Sequence, residues 1–231
     1  MNTDNNFEID NFDEIDNFDE SAYFDEINQL TATIDEGLEW IDVIFQLQSL
    51  SEEFITNLKS LKLVTISEKQ KDKDNSFLYG TLFVGGVSLY EGFIHEMLDI
   101  CLNKSAYMEM ALSNVSNLCD KDKKYLRIKT NGSCDQLKER LKNVTLHDPI
   151  QISRIGNKLF GLQFPTLTKD FTAKILDKRN AFTHNNGKSD GEKVNISQLE
   201  LSCFFLLLDS MIYSYMNLLI KEGEKFFEKN K

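Results

Sequence analysis

An all-α fold is what this sequence predicts, in the form of a helical bundle preceded by an acidic leader. Apolar residues return every three or four positions through most of the chain, which is the spacing of amphipathic helices. Only two prolines occur among the 231 residues, so long helices can run without interruption. A hydrophobic share of 41% is enough to bury one core. We therefore expect a single helical domain over residues 27–231, with packing helices at 27–66 and a core at 76–231.

Residues 1–26 form the acidic leader. They contain ten Asp or Glu residues and no Lys or Arg, which leaves 27 acids against 26 bases in the rest of the chain. A six-residue repeat, Ile-Asp-Asn-Phe-Asp-Glu, occupies 9–14 and again 15–20. Such a charge block is ordinarily a disordered, solubilising tail. Because Phe and Ile return so regularly, a second hypothesis is that the leader imitates nucleic acid and covers a basic cleft, or binds a partner.

The next two segments are expected to be helices. Residues 26–63 have apolar side chains at helical spacing and form one or two packing helices, with Ser51 as a suitable cap for the second. The polar run 68–75 is then a loop, and 77–101 is an apolar helix. This helix contains four glycines: Gly80, Gly85, Gly86 and Gly92. Glycine lowers helix stability, so its recurrence predicts the close approach of another helix.

The stretch from 120 to 142 is the most basic part of the chain. It holds eight Lys or Arg residues and four acids, interrupted by Asn131-Gly132-Ser133. These cations could contact the phosphates of a nucleic acid without regard to sequence. A solvated helix face held by i,i+4 ion pairs explains them equally well. A loop is expected over 143–165.

A helix over 168–184, with Thr168 as its N-cap, ends in the string Arg-Asn-Ala-Phe-Thr-His. Arg179 continues an apolar stripe along this helix, so its guanidinium needs an anionic partner, either a carboxylate or a phosphate. A planar guanidinium donates two parallel hydrogen bonds to phosphate. His184 lies where the helix should fray before the Asn185-Asn186-Gly187 turn, and imidazole can move protons in either direction near neutral pH. The pattern indicates phosphate chemistry.

The last helix is expected from about 196 to 227, capped by Asn195 or Ser197. It is long enough to cross a membrane, but Glu200 and Asp209 argue against a lone span. Because it is apolar nearly all round, we expect its own bundle and a second subunit to bury it. No secretory signal is visible, so a cytoplasmic location is expected. The four cysteines have no Cys-x-x-Cys spacing, and no metal site is expected.

The string at 179–184 resembles the signature of HEPN domains (higher eukaryotes and prokaryotes nucleotide-binding), in which His follows Arg after four to six residues and Asn often follows the Arg. Four residues separate them here. The resemblance extends loosely to residues 90–93 and to the last helix. It implies a HEPN-like bundle, a homodimer whose two signatures face one cleft, and cleavage of RNA by its own 2′-hydroxyl without metal or cofactor.

The resemblance also implies roles for the signature residues. His184 would exchange protons with the 2′-hydroxyl or the leaving oxygen, Arg179 would stabilise charge on the phosphoryl group, and Asn180 would orient the histidine or the phosphate. We further expect two lysines close to the signature, Lys174 and Lys178, to contact RNA.

Glu91 is expected to pair with Arg179 and hold its rotamer, because HEPN domains often carry an acid on an earlier core helix that faces the signature arginine. Glu91 shares one helix face with Ser88 and His95. The alternative is therefore that Glu91 and His95 satisfy each other at the helix surface.

Proteins that this chain resembles act as toxins or antiphage effectors, which implies an antitoxin or another regulatory protein as partner. Two other classes remain open. One is a non-catalytic HEPN-like module that binds nucleotide, RNA or a partner protein. The other is a plain helical interaction protein whose acidic leader recruits a basic partner.

Overall fold

Eight helices and one short β-hairpin make up the residues that the computed structural model describes, 20–67, 75–127 and 133–230. The helices are α1 (Glu20–Ser67), α2 (Ser76–Asn103), α3 (Ser105–Val115), α4 (Asp120–Leu126), α5 (Cys134–Asn143), α6 (Pro149–Phe160), α7 (Lys169–His184) and α8 (Gln198–Lys229). The hairpin joins β1 (Lys188–Ser189) to β2 (Glu192–Lys193) in antiparallel register. The predicted all-α bundle is confirmed.

Helix α2 is the centre of the bundle and packs against α1, α7 and α8. The ring of Phe83 stacks on Phe204 with centroids 3.9 Å apart, and the hydroxyl of Tyr90 lies 2.7 Å from that of Tyr215. These two pairs show that α8 runs parallel to α2. Burial raises the pKa of Tyr90 well above its usual range, so this inner hydroxyl pair stays protonated.

Helix α1 is one continuous helix, so of the one or two helices expected here the single helix is confirmed, and Ser51 does not cap a second one. Ser51 is half-buried in the middle of α1, where packing against α2 and α8 outweighs its preference for a cap. The helix begins at Glu20, and the last seven residues of the acidic leader therefore belong to it; residues 1–19 lie outside the described part. The face of α1 that points away from the bundle exposes a row of large apolar side chains: Tyr23, Phe24, Ile27, Leu30, Ile34, Leu38, Ile41 and Phe45.

The glycines of α2 permit close packing at two positions. A Cβ at Gly80 would lie 2.0 Å from the ring of Phe182 on α7, and one at Gly86 would lie 3.0 Å from Phe204 on α8. The predicted close approach is confirmed there. Gly92 has nothing within 4 Å of its would-be Cβ, so the prediction is wrong for that residue.

The expected loop over 143–165 is wrong in its middle part, which forms α6. Pro149 opens this helix and Asp148 caps it by accepting a hydrogen bond of 2.8 Å from the Ile150 N–H. Ile152 and Leu159 are fully buried on its inner face. The basic stretch forms α4 and α5, while residues 128–132 between them lie outside the described part.

Helices α7 and α8 begin and end close to the predicted positions. Thr168 caps α7 by accepting from the Phe171 N–H at 3.4 Å, and Ser197 caps α8 by accepting from the Glu200 N–H at 3.1 Å. By length and composition alone, α2 and α8 could each cross a membrane, but each also buries part of its surface in the bundle, as core helices of soluble proteins do.

Candidate functional site

The last turn of α7 brings Arg179, Asn180 and His184 together. Arg179 is half-buried, and its Nη1 donates to Asn180 Oδ1 at 3.1 Å and lies 3.4 Å from His184 Nε2. In the part of the chain that the structure describes, no carboxylate forms an ion pair with Arg179. Among the described residues, the guanidinium is therefore not neutralised by a carboxylate.

The contact between Arg179 and His184 has a fixed direction, because a guanidinium only donates and His184 Nε2 is therefore the acceptor. The ring is exposed to solvent. If a phosphate drew the guanidinium to itself, Nε2 would be released beside that phosphate, where a ring nitrogen can act as a general base.

Packing around Phe182 fixes the position of this turn. Its ring lies against Gly80 of α2 and Gly187 of the following turn, and its centroid is 6.2 Å from that of Phe77. The N–H groups of Asn185 and Gly187 both donate to the Ala181 carbonyl, at 3.1 and 2.8 Å. Gly187 has φ +76°, which favours glycine, so the chain turns sharply here and the helix ends at His184.

The two lysines near the signature differ in their surroundings. Lys178 forms an ion pair with Glu200 of α8, and partial burial followed by the nearby Lys174 lowers its pKa. Lys174 is exposed. Both line an apolar groove of about 200 Å³ between α7 and α8. Lys178 is thus engaged within the protein, and Lys174 is the more available of the two for an anion.

Glu91 does not pair with Arg179, and this expectation is wrong. Its Oε1 accepts from the Leu146 N–H at 2.8 Å, and its Oε2 lies 3.7 Å from His147 Nδ1. The reason is its position on α2: helix α7 contacts α2 at Gly80, eleven residues or about 16 Å along the helix from Glu91. Proximity to His147 lowers the pKa of Glu91, and the Leu146 hydrogen bond adds to this effect against the opposing effect of burial.

The alternative pairing of Glu91 with His95 is also wrong. His95 Nδ1 lies 3.0 Å from the Leu141 carbonyl at the end of α5. His95 therefore links α2 to the end of α5, and Glu91 links α2 to the segment between α5 and α6. No group of three or more His, Cys, Asp or Glu side chains in the described ranges could hold a metal ion.

One cavity among the described residues lies away from the signature. It measures about 420 Å³ and lies between α4, α5 and the start of α6. Four cations of the basic stretch line it: Lys121, Lys124, Arg127 and Arg140. The sequence indicated the charge of this region but gave no sign that it would be concave.

The chain matches no family model, no curated protein and no solved structure. The class that the coordinates define is an all-α bundle in which one helix end brings together a half-buried arginine, an exposed asparagine and an exposed histidine.

Proposed function

We propose that this chain is a metal-independent endoribonuclease of the HEPN type, with Arg179, Asn180 and His184 as its catalytic residues. The observation that carries the proposal is the contact of 3.4 Å between Arg179 Nη1 and His184 Nε2 at an exposed helix end. A phosphate bound by the guanidinium would lie beside the imidazole. Two groups that assist cleavage of RNA by its own 2′-hydroxyl, a charge stabiliser and a proton acceptor, would then act on the same phosphodiester.

The reaction would proceed by attack of the substrate on itself. When the guanidinium of Arg179 turns from His184 to the phosphate, Nε2 is released and takes the proton of the ribose 2′-hydroxyl, and O2′ forms a bond to phosphorus. Arg179 stabilises the negative charge that develops on the non-bridging oxygens, while Asn180 orients the histidine or the phosphate. The bond to the 5′-oxygen then breaks, and this oxygen receives a proton from a protonated imidazole. The products are a 2′,3′-cyclic phosphate and a free 5′-hydroxyl.

A homodimer would supply the second imidazole. Leu199, Leu206 and Tyr213 lie seven residues apart on the face of α8 that points away from the bundle, and their side chains are 74%, 62% and 68% exposed. Phe171 of α7 is 47% exposed. A row of large apolar residues on one face typically marks a protein interface. Because α7 packs beside α8 through Lys178 and Glu200, pairing through this face would bring two signatures into one cleft.

Paired substitutions on two helices test the dimer. Leu206→Glu places a charge on the exposed face of α8. Leu38→Glu, the control, places a charge on the outer face of α1, and Leu38 is 59% exposed, close to the 62% of Leu206. We expect sedimentation to show a dimer for the wild type and for Leu38→Glu, and a monomer without activity for Leu206→Glu. A monomeric wild type, or a dimer that only Leu38→Glu dissociates, would contradict the proposed interface.

Cleavage of total tRNA and mRNA in EDTA tests the activity. We expect wild-type protein to cut RNA, and Arg179→Ala and His184→Ala to lose at least about 100-fold in rate. Lys169→Ala, at the other end of α7, is the charge control and should cut normally. Equal activity in all four proteins would place the reaction elsewhere. Binding of RNA without cleavage by the wild type would instead indicate a non-catalytic module that binds nucleotide or RNA.

In the cell, we propose that the protein acts in the cytoplasm as a toxin or antiphage effector and that another protein restrains it. Uncontrolled cleavage of RNA stops growth, so such an activity needs an antitoxin or another regulatory partner. This role rests on the resemblance at residues 179–184, and it also requires the ribonuclease activity. If the purified protein does not cut RNA, the proposed role is wrong.

A further inference from the structure

The 420 Å³ cavity beside α4 is a second place where positive charge gathers, and nothing in the proposed reaction uses it. Its cationic wall comes from two helices, with Lys121, Lys124 and Arg127 at α4 and Arg140 in the last turn of α5. Asn143 and Gln151 add amide groups, which can donate hydrogen bonds to an oxyanion. No residue of α7 or α8 lines this cavity.

The four cations of this wall have no partner in the described part of the chain. None of them forms an ion pair or a side-chain hydrogen bond there. Their neighbours on the same helices behave differently: Lys142 lies 3.8 Å from Asp99, and Lys138 donates to Asn103 at 2.7 Å. Like charges collected around one concavity repel each other, and a bound anion would relieve that repulsion.

The one carboxylate in the wall is already neutralised. Asp122 is buried, its Oδ1 accepts from Arg154 Nε at 2.7 Å, and its Oδ2 accepts from the Cys119 thiol at 2.9 Å. Because a fifth cation, Arg154, balances this acid, Asp122 does not cancel the charge of the other four. The cavity therefore has a net positive wall.

The wall is held in place by contacts between its elements. The Tyr125 hydroxyl donates to the Thr145 carbonyl and so joins α4 to the segment between α5 and α6. Arg127 ends α4 in the left-handed region, with φ +54°, and its N–H donates to the Lys124 carbonyl at 3.4 Å. Leu126 and Val144 are buried beneath the cavity. A binding surface with fixed backbone loses less entropy when it takes up a ligand.

We propose that this cavity binds the phosphate groups of a ligand that carries several of them, either a nucleoside polyphosphate or a segment of RNA. Its volume lies within the range of about 300–1,000 Å³ that is usual for small-molecule sites. Arginine and lysine side chains from two helices suit phosphates at successive positions, the first as a planar fork and the second as a point charge. The proposal is independent of the activity proposed for α7, because the two sets of residues do not overlap.

Titration calorimetry on the full chain tests this site with three probes: inorganic phosphate, ATP and a 12-nucleotide single-stranded RNA. RNA is titrated into Arg179→Ala so that it stays intact. The double variant Lys124→Ala/Arg140→Ala removes two cations from the wall. Its matched control, Lys138→Ala/Lys142→Ala, removes two lysines of α5 that do not line the cavity. Melting temperatures of both doubles confirm that they fold.

We expect the wall variant to lose at least about 10-fold in affinity and the control to lose less than about 3-fold. ATP binding at one site per chain would identify a free nucleotide as the ligand, and binding of RNA alone would identify the RNA backbone. Equal losses in both doubles would show general charge attraction and overturn the site. Failure of all three probes to bind the wild-type cavity would overturn it as well.

Discussion

The end of α7 and the cavity beside α4 both present cations that pair with no carboxylate of residues 20–67, 75–127 or 133–230, but they differ in the groups that accompany the charge. Arg179 lies 3.4 Å from an imidazole nitrogen and 3.1 Å from an amide oxygen. The cavity wall contains no histidine. In the proposed reaction the first region combines a charge stabiliser with a proton acceptor, whereas the second would only hold an anion. The comparison teaches that two cationic regions can differ in the group beside the charge, and the proposed assignment of function follows that group.

Arginine-to-lysine substitutions should separate the two regions most clearly. Lys in place of Arg179 keeps the charge but loses the fork that stabilises the phosphoryl oxygens, so we expect RNA cleavage to fall about 100-fold. Arg140→Lys should change ligand affinity in the cavity by less than about 3-fold, because the charge is kept and three other cations share the phosphates there. Single-turnover rates and calorimetry measure the two effects. A loss of RNA cleavage in Arg179→Lys as small as the loss of affinity in Arg140→Lys would contradict the proposed difference between the two regions.

Of the two regions, only the site at the end of α7 should depend on the packing of the Phe182 ring against Gly80 of α2. A methyl group at Gly80 would meet the Phe182 ring at 2.0 Å and force it outward, so Gly80→Ala should cost about 1–3 kcal/mol of unfolding free energy and lower RNA cleavage. Gly92→Ala is the matched control on the same helix, and it should stabilise the protein by about 0.5–1 kcal/mol because its Cβ meets nothing. Equal melting temperatures for the two variants would contradict this packing.

Salt dependence gives a smaller effect that belongs to the cavity. If RNA phosphates bind there, Lys124→Ala should reduce the slope of log affinity against log salt by about 1. The control is Lys142→Ala, whose side chain is 63% exposed and already lies near Asp99. We expect its slope to match that of the wild type. A change of slope in Lys142→Ala but not in Lys124→Ala would assign the phosphate contacts to the outside of α5.

Substitution of Glu91 should give the smallest effect, and it tests whether this residue contributes to stability or to the site at the end of α7. Its folded-state pKa is lowered, chiefly by His147, so its contribution to stability is present at neutral pH and is lost as the pH falls through that pKa. Glu91→Gln should therefore lower the unfolding free energy by about 1 kcal/mol at pH 7 and by less at pH 3. The rate of RNA cleavage should not change. A large loss of RNA cleavage with unchanged stability would contradict this account and would indicate that Glu91 acts together with Arg179.

The sequence predicted the parts of the fold that local chemistry determines. Thr168 and Ser197 begin α7 and α8 as N-caps, and the turn after His184 needs the positive φ of Gly187, so both helices could be located from neighbouring residues alone. Helix α6 was missed, although Asp148 and Pro149 are an N-cap and a first-turn proline. Its buried residues Ile152, Ile155 and Leu159 recur at helical spacing, so this signal was also present in the sequence.

The partners of the site residues could not be predicted in the same way. Glu91 and Arg179 lie far apart because α7 contacts α2 at Gly80, through the ring of Phe182. The position of this contact depends on the assembled bundle and not on the local sequence. The cavity depends on how α4 and α5 face each other, which no local pattern in the basic stretch describes. Helix α1 continues through Ser51 because its inner face packs along α2 and α8.

The most direct test of the central claim uses an RNA oligonucleotide with a single ribose at the mapped cleavage position and deoxyribose elsewhere, incubated with the full chain in EDTA. We predict one cut, with a 2′,3′-cyclic phosphate on one fragment and a 5′-hydroxyl on the other. The all-deoxy oligonucleotide should stay intact, and so should the chimera with His184→Ala. Cleavage of the all-deoxy strand, 5′-phosphate ends, or full activity of His184→Ala would contradict attack by the 2′-hydroxyl at the Arg179 and His184 site.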